Sequence, residues 1–165
     1  MELSVRHWEG VDHFDAAYLE LARAMIEEGR IGSIRDLMLV AGRHPDLWVS
    51  PEGNDLLADL IVLLLEGLAE GHVTDVVAAL AICPPDLAQA AIALLQGAFF
   101  PKGAEIDPRR LDDAGLLCFA LLTGAVGSHG QAIAMIDGAL ANRYSEDFVH
   151  AALMVRDHLR QACEA

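Results

Sequence analysis

The stretch Asn54 to Gly71, NDLLADLIVLLLEGLAEG, constrains this chain more than any other. Its apolar residues run almost unbroken from Leu56 to Leu68, interrupted by Asp59, Glu66 and Gly67, with Asp55 and Glu70 at the edges. At about 100° per residue on a helix, Asp55, Asp59, Glu66 and Glu70 fall within roughly 60° of one another. The acids therefore mark one narrow wet stripe, and most of the helix circumference is apolar. A helix of that kind stays in solution only when other helices surround it. The stretch predicts the central helix of an all-α domain.

The residue balance agrees. Hydrophobic residues make up 54% of the chain, yet aromatics supply only 5%. The apolar content is mainly alanine and leucine, which form helices well and pack them closely. A β-sandwich would ask for valine, isoleucine, threonine and aromatics instead. At 165 residues, one domain spanning 1–165 is expected, long enough to bury roughly two-thirds of the unfolded chain's surface.

Hydrophobic periodicity and turn residues divide the chain into about eight helices and no convincing strand. Residues 1–10, which contain Trp8, read as an N-terminal arm. A first helix starts near Val11 or Asp12 and ends at Gly29, with Phe14, Ala17, Tyr18, Leu21 and Met25 on one face. Ser33 can cap a second, whose Ile34, Leu37, Met38 and Ala41 share a face before Gly42. A long loop, 43–53, precedes the central helix, which Asn54 would cap. Thr74 would cap the next helix, and the Pro84–Pro85 pair would end it. Asp86 opens another, followed by a second long loop, 99–107. Asp107 and Pro108 suit the cap and first position of a sixth helix that carries Leu117, Cys118 and Leu121. A Gly127–Gly130 turn leads to QAIAMIDGALAN, and Ser145 starts the last helix, with Phe148, Ala152, Val155, Leu159 and Ala162 on one side.

A helix, a glycine turn and a shorter helix recur around Gly29, Gly71 and Gly127. Aligned on Gly29 and Gly71, Ile31 matches Val73, Ile34 matches Val76 and Met38 matches Leu80. Two architectures follow from this pattern: an antiparallel bundle, or stacked helical hairpins of the HEAT or armadillo kind.

Charge narrows the function. The chain has 25 acids against 11 bases, a net charge of −14. Nucleic acid and anionic membrane surfaces are repelled by such a field. A basic protein partner is attracted by it, although acids also serve simply to keep an alanine- and leucine-rich domain in solution. Cys83, Cys118 and Cys163 are far apart and form no Cys-x-x-Cys, which fits a reducing compartment. The first residues lack a signal-peptide pattern, and no stretch gives about 18 uninterrupted apolar residues. A cytoplasmic location is expected.

No motif for chemistry stands out. A di-metal bundle needs Glu-x-x-His on two helices, and the chain offers only a substituted half, Asp147-x-x-His150, with Glu146 one turn before the histidine. There is no G-x-S-x-G, and the adjacent Ser128–His129 pair lacks nucleophile–base spacing. Gly124, Gly127 and Gly130 follow a helix rather than a strand, so a phosphate loop is not implied. Arg109–Arg110 and Asp112–Asp113 suggest a local ion-paired face. No catalytic residue, metal or cofactor is expected.

What remains points to binding. Each long loop joins prolines to aromatics, Leu47–Trp48 in the first and Phe99–Phe100 in the second. These aromatics either contact a partner or anchor the loops on the core. On the contact reading, Trp48→Ala weakens binding and hardly moves the melting temperature. The acidic stripe Asp55, Asp59, Glu66 and Glu70 either meets a basic partner or faces water. The sequence thus predicts an acidic protein-interaction module, such as an adaptor, an inhibitor or immunity-type protein, or a homo-oligomeric structural protein. The alternative is a small-molecule-binding regulator or enzyme with a pocket between helices.

Overall fold

The computed structural model describes residues 11–29, 34–38, 48, 50–99 and 107–164. Leu47, Phe100 and the 1–10 arm lie outside them, as do the caps expected at Ser33 and Gly42. The described residues are all-α: α1 (Val11–Glu28), α2 (Pro51–Ala69), α3 (Val73–Ala81), α4 (Pro85–Phe99), a 3-10 turn (Pro108–Arg110), α5 (Asp113–Ala125), α6 (His129–Leu140) and α7 (Glu146–Glu164). Residues 34–38 form a further helical stretch. No strand occurs among the described residues. Neighbouring helices pack as a bundle.

Two sequence details decide the α2 start. Ser50 is the cap and Pro51 the first helical residue, and Ser50 Oγ accepts from Gly53 N at 3.1 Å. The helix therefore begins before the expected Asn54 cap, because serine followed by proline is itself a start signal. Similar shifts occur elsewhere. α3 starts at Val73 rather than after Thr74, and α4 starts at Pro85 rather than Asp86. Asp107 accepts from Arg109 N at 3.1 Å and opens only the 3-10 turn. The following helix is capped by Asp112, which accepts from Gly115 N at 2.7 Å. The expected Arg–Asp face therefore does not form: Arg109 and Arg110 turn back to Asp107, and Asp112 caps a helix.

Gly29, Gly71 and Gly127 end the first helix of each recurring pair, and they are the described residues with left-handed backbone, at φ 73°, 91° and 96°. At the last two the pairing is a full Schellman turn. Gly71 N donates to Leu68 O and His72 N to Gly67 O; Gly127 N donates to Gly124 O and Ser128 N to Thr123 O. A side chain at these φ values would crowd the following carbonyl.

The centre of the bundle is α5. It packs against α2, α3, α4, α6 and α7. Gly115, Leu116, Leu117, Cys118, Ala120, Leu121, Leu122, Thr123 and Gly124 are all buried. Thr123 satisfies its hydroxyl by donating to Phe119 O at 2.8 Å. α2 is a flanking wall: it covers α1, α3, α4 and α5 with Leu56, Leu57, Leu60, Ile61, Leu64 and Leu68, and turns Asp55, Asp59, Val62 and Glu66 to water. The place expected for 54–71 thus belongs to 113–125. The physical reason is in the sequence: no charge interrupts residues 114–128, whereas a helix with a carboxylate stripe must keep one side wet.

α1 is also rotated from its expected face. Tyr18, Leu19, Ala22 and Ile26 are buried, while Leu21 is 58% exposed. No described helix is long and apolar enough to cross a membrane.

Candidate functional site

Trp48 is 0% exposed and lies in the core. Its ring meets Tyr18 edge-on, with centroids 6.2 Å apart and planes at 81°, a favoured aromatic geometry. Tyr18 OH donates to Leu37 O at 3.3 Å. Burial pushes the Tyr18 phenol up to about 12, partly offset by the nearby Trp48 N–H. That N–H reaches no acceptor in hydrogen-bond geometry among the described residues. Of the two roles open to Trp48, the structure places it as the anchor. Phe99 ends α4, but its side chain lies outside the described set, as Leu47 and Phe100 do entirely.

The four carboxylates of the stripe are exposed. Asp55, Asp59 and Glu66 project from α2, and Glu70 caps its C-terminus. By helical register, Val62, 52% exposed, sits among them. At its lower end the stripe meets two concavities. A groove of about 380 Å³ is lined by Gly29, Leu63, Glu66, Gly67, Glu70, His72 and Asp75. His72 Nε2 lies 3.7 Å from Glu70 Oε2 there. A larger cleft, about 760 Å³, shares Glu70 with it.

The larger cleft forms because several helix ends converge. The Gly71 turn folds the end of α2 back into α3, bringing Leu68, Ala69, Glu70, Val73 and Thr74 to one side. The starts of α5 and α7 form the other side, through Asp112, Asp113, Ala114 and Leu117, and through Ser145, Asp147, Phe148, His150, Ala151 and Met154. Arg143 ties these two starts together. Its guanidinium donates to Asp113 Oδ1 at 2.8 Å and to Leu111 O at 2.6 Å, and sits 5.5 Å from the centroid of the Phe148 ring. Arginine's planar fork suits such a three-way contact.

The rim carries Glu70, Asp112, Asp113 and Asp147, and among the described residues neither lysine nor arginine lines the cleft. Part of this negative charge is answered by the positive ends of α3, α5 and α7. Asp113 is further paired with Arg143. Deeper walls are apolar, with Ala114 and Met154 partly exposed.

Ser145, Asp147 and His150 share the cleft, yet no hydrogen bond joins them among the described residues; Ser145 Oγ faces Phe148 N at 3.5 Å. Nucleophile and base thus form no hydrogen-bonded pair among the described residues. No group of three or more histidine, cysteine, aspartate or glutamate side chains that could hold a metal occurs among the described residues. Nothing in the sequence marks Asp112 and Asp113 as cleft residues, and Asp147 and His150 stand out there only as a fragment of a metal motif. The start of α7 beside Ser145 and Asp147 was legible; that Asp112 and Asp113 open α5, and that three helix starts meet in space, was not.

Fold and site together define an all-α bundle with an acidic helix face leading to an acid-rimmed cleft. No protein-family model, curated protein or solved structure matches the chain.

Proposed function

We propose that this protein is an acidic interaction module that docks a basic protein partner on the exposed face of α2 and the concavities at its C-terminal end. The observation that carries this reading is the separation of charge. Between Arg43 and Lys102 the sequence has no lysine or arginine, so α2, α3 and α4 present carboxylates without a cation among them. Solubility alone is served by interspersed charges of both signs. A one-signed face raises the encounter rate with an oppositely charged partner and rejects like-charged ones.

A pull-down of the tagged protein from its native lysate at low and high salt, read by mass spectrometry, tests the proposal. A basic protein enriched at low salt and lost at high salt is the expected result, because the screening length shrinks from about 10 Å at 0.1 M to about 3 Å at 1 M. The Asp59→Asn/Glu66→Gln variant should then bind several-fold more slowly. Recovery of the bait alone, or a partner held equally at both salts, overturns the reading.

A second reading is favoured by the cleft volume, about 760 Å³, which lies in the range of small-molecule sites, roughly 300–1,000 Å³. A ligand retained in native mass spectra of the purified protein would support that reading.

A further inference from the structure

We infer that the larger cleft is the anchor pocket of this interface, and that it receives an apolar side chain flanked by arginine or lysine from a short segment of the partner. The inference rests on the docking reading above and specifies the chemistry of its occupant.

Continuity is the first argument. Glu70 closes the α2 stripe and also stands on the cleft rim. From Asp55 to Glu70 the helix rises about 22 Å at 1.5 Å per residue. A basic segment lying along that face runs directly into the cleft mouth.

Complementarity is the second. The mouth is acidic, through Glu70, Asp112 and Asp147, whereas Ala114, Leu117 and Met154 line it with apolar surface. A purely polar cation would satisfy the rim and leave that surface in water. A neutral apolar group would cover the walls and leave the carboxylates unmatched. An apolar residue with cationic neighbours answers both, as buried anchors ringed by polar contacts do at protein interfaces. An inorganic anion is disfavoured, because the helix starts that would attract it already carry Asp112, Asp113 and Asp147.

The test uses fluorescence anisotropy with three synthetic peptides: a Lys/Arg-rich peptide with one central Phe, the same peptide with Ser in place of Phe, and a neutral Phe-centred peptide. The basic Phe peptide should bind about tenfold more tightly than the basic Ser peptide, the amount one buried apolar side chain contributes. Ala114→Phe, which fills the cleft from its wall, should abolish that advantage, so that the Phe and Ser basic peptides bind equally. Ala69→Phe provides a second block from an exposed rim position, so a folding defect in the first variant does not decide the matter.

Equal, salt-sensitive binding of the two basic peptides would retain the acidic docking face and overturn the anchor pocket. Failure of both basic peptides to bind overturns both. A neutral Phe peptide that binds as well as the basic one overturns the pairing of apolar anchor with cationic flanks. So does spermidine that displaces the basic Phe peptide at equal concentration, since a small organic cation then suffices.

Discussion

The burial of Trp48 turns a question about binding into one about stability. Trp48→Ala removes an indole that is 0% exposed and in edge contact with Tyr18. Truncating a buried aromatic to alanine costs about 3–5 kcal/mol, the sum of lost transfer energy and the cavity left behind. One effect opposes this: the Trp48 N–H reaches no acceptor in hydrogen-bond geometry among the described residues, and with the Tyr18 side chain beside it the relief in the variant stays at the low end of what an orphaned buried donor costs, about 1 kcal/mol. A net loss near 2–4 kcal/mol follows. In a domain of this size each kcal/mol moves the melting temperature by about 2–4 °C, so the drop should exceed roughly 4 °C and can reach about 16 °C. Trp48→Phe separates the terms, because it keeps most of the packing and deletes the N–H; it should cost less than about 1.5 kcal/mol. Urea denaturation followed by helical circular dichroism measures both variants, with an unchanged m-value as the check on two-state behaviour. A Trp48→Ala protein that melts within about 2 °C of the parent would refute the anchoring role. So would a Trp48→Phe variant as unstable as Trp48→Ala.

Other consequences are as direct. Gly124→Ala puts a methyl into Leu159 Cδ2 where α5 and α7 meet; it should destabilise by about 1–3 kcal/mol, and combined with Leu159→Ala it should cost less than the sum of the two single changes. Burial, and then the neighbouring His129, lowers the His158 pKa below its ordinary value of 6.5. The folded state therefore favours neutral imidazole: its contribution is complete above the unfolded pKa and is lost as pH falls through the folded one. Stability measured by urea between pH 7.5 and 4.5 should fall less steeply in His158→Gln. Cys83 and Cys118 are buried, with burial pushing both thiols up to about 12, while Cys163 is exposed. A thiol reagent such as DTNB should therefore titrate Cys163 rapidly in the native protein and all three cysteines after denaturation.

Much of the fold was legible, and the reasons differ by residue. The glycine turns at Gly29, Gly71 and Gly127 were visible because each stands just past an apolar run, and a left-handed terminator leaves few other choices. The all-α class followed from alanine and leucine. Caps were less secure. Asp107, Asp112, Thr74 and Ser50 are all acceptable cap residues in isolation, and only the backbone path shows that Ser50 and Asp112 hold amides while Asp107 serves a 3-10 turn. The spacing of Leu21 fits an inward helical face, but Leu19, Ala22 and Ile26 make a second possible face, and packing against α2 selects that one.

The candidate site was legible only along α2. Its carboxylates share a face by local geometry alone, so Asp55, Asp59, Glu66 and Glu70 could be grouped before any tertiary contact was known. The cleft has no such local signature. Asp112 lies more than forty positions from Glu70 and more than thirty from Asp147, and their convergence depends on α5 occupying the centre. That placement has a functional consequence. With α5 free of charge from Ala114 onward, every carboxylate on this helix is confined to its first turn, where the cap geometry fixes Asp112 and Arg143 fixes Asp113. The rim is therefore held in place by the interactions that start the central helix. Asp112→Ala should loosen the cleft and cost about 1 kcal/mol of stability together, whereas Asp147→Asn on the exposed start of α7 should weaken a basic ligand and leave the melting temperature nearly unchanged. If Asp112→Asn, which keeps the cap, binds the basic Phe peptide as the parent does while Asp147→Asn does not, charge at the mouth comes from α7. The reverse outcome would assign it to α5.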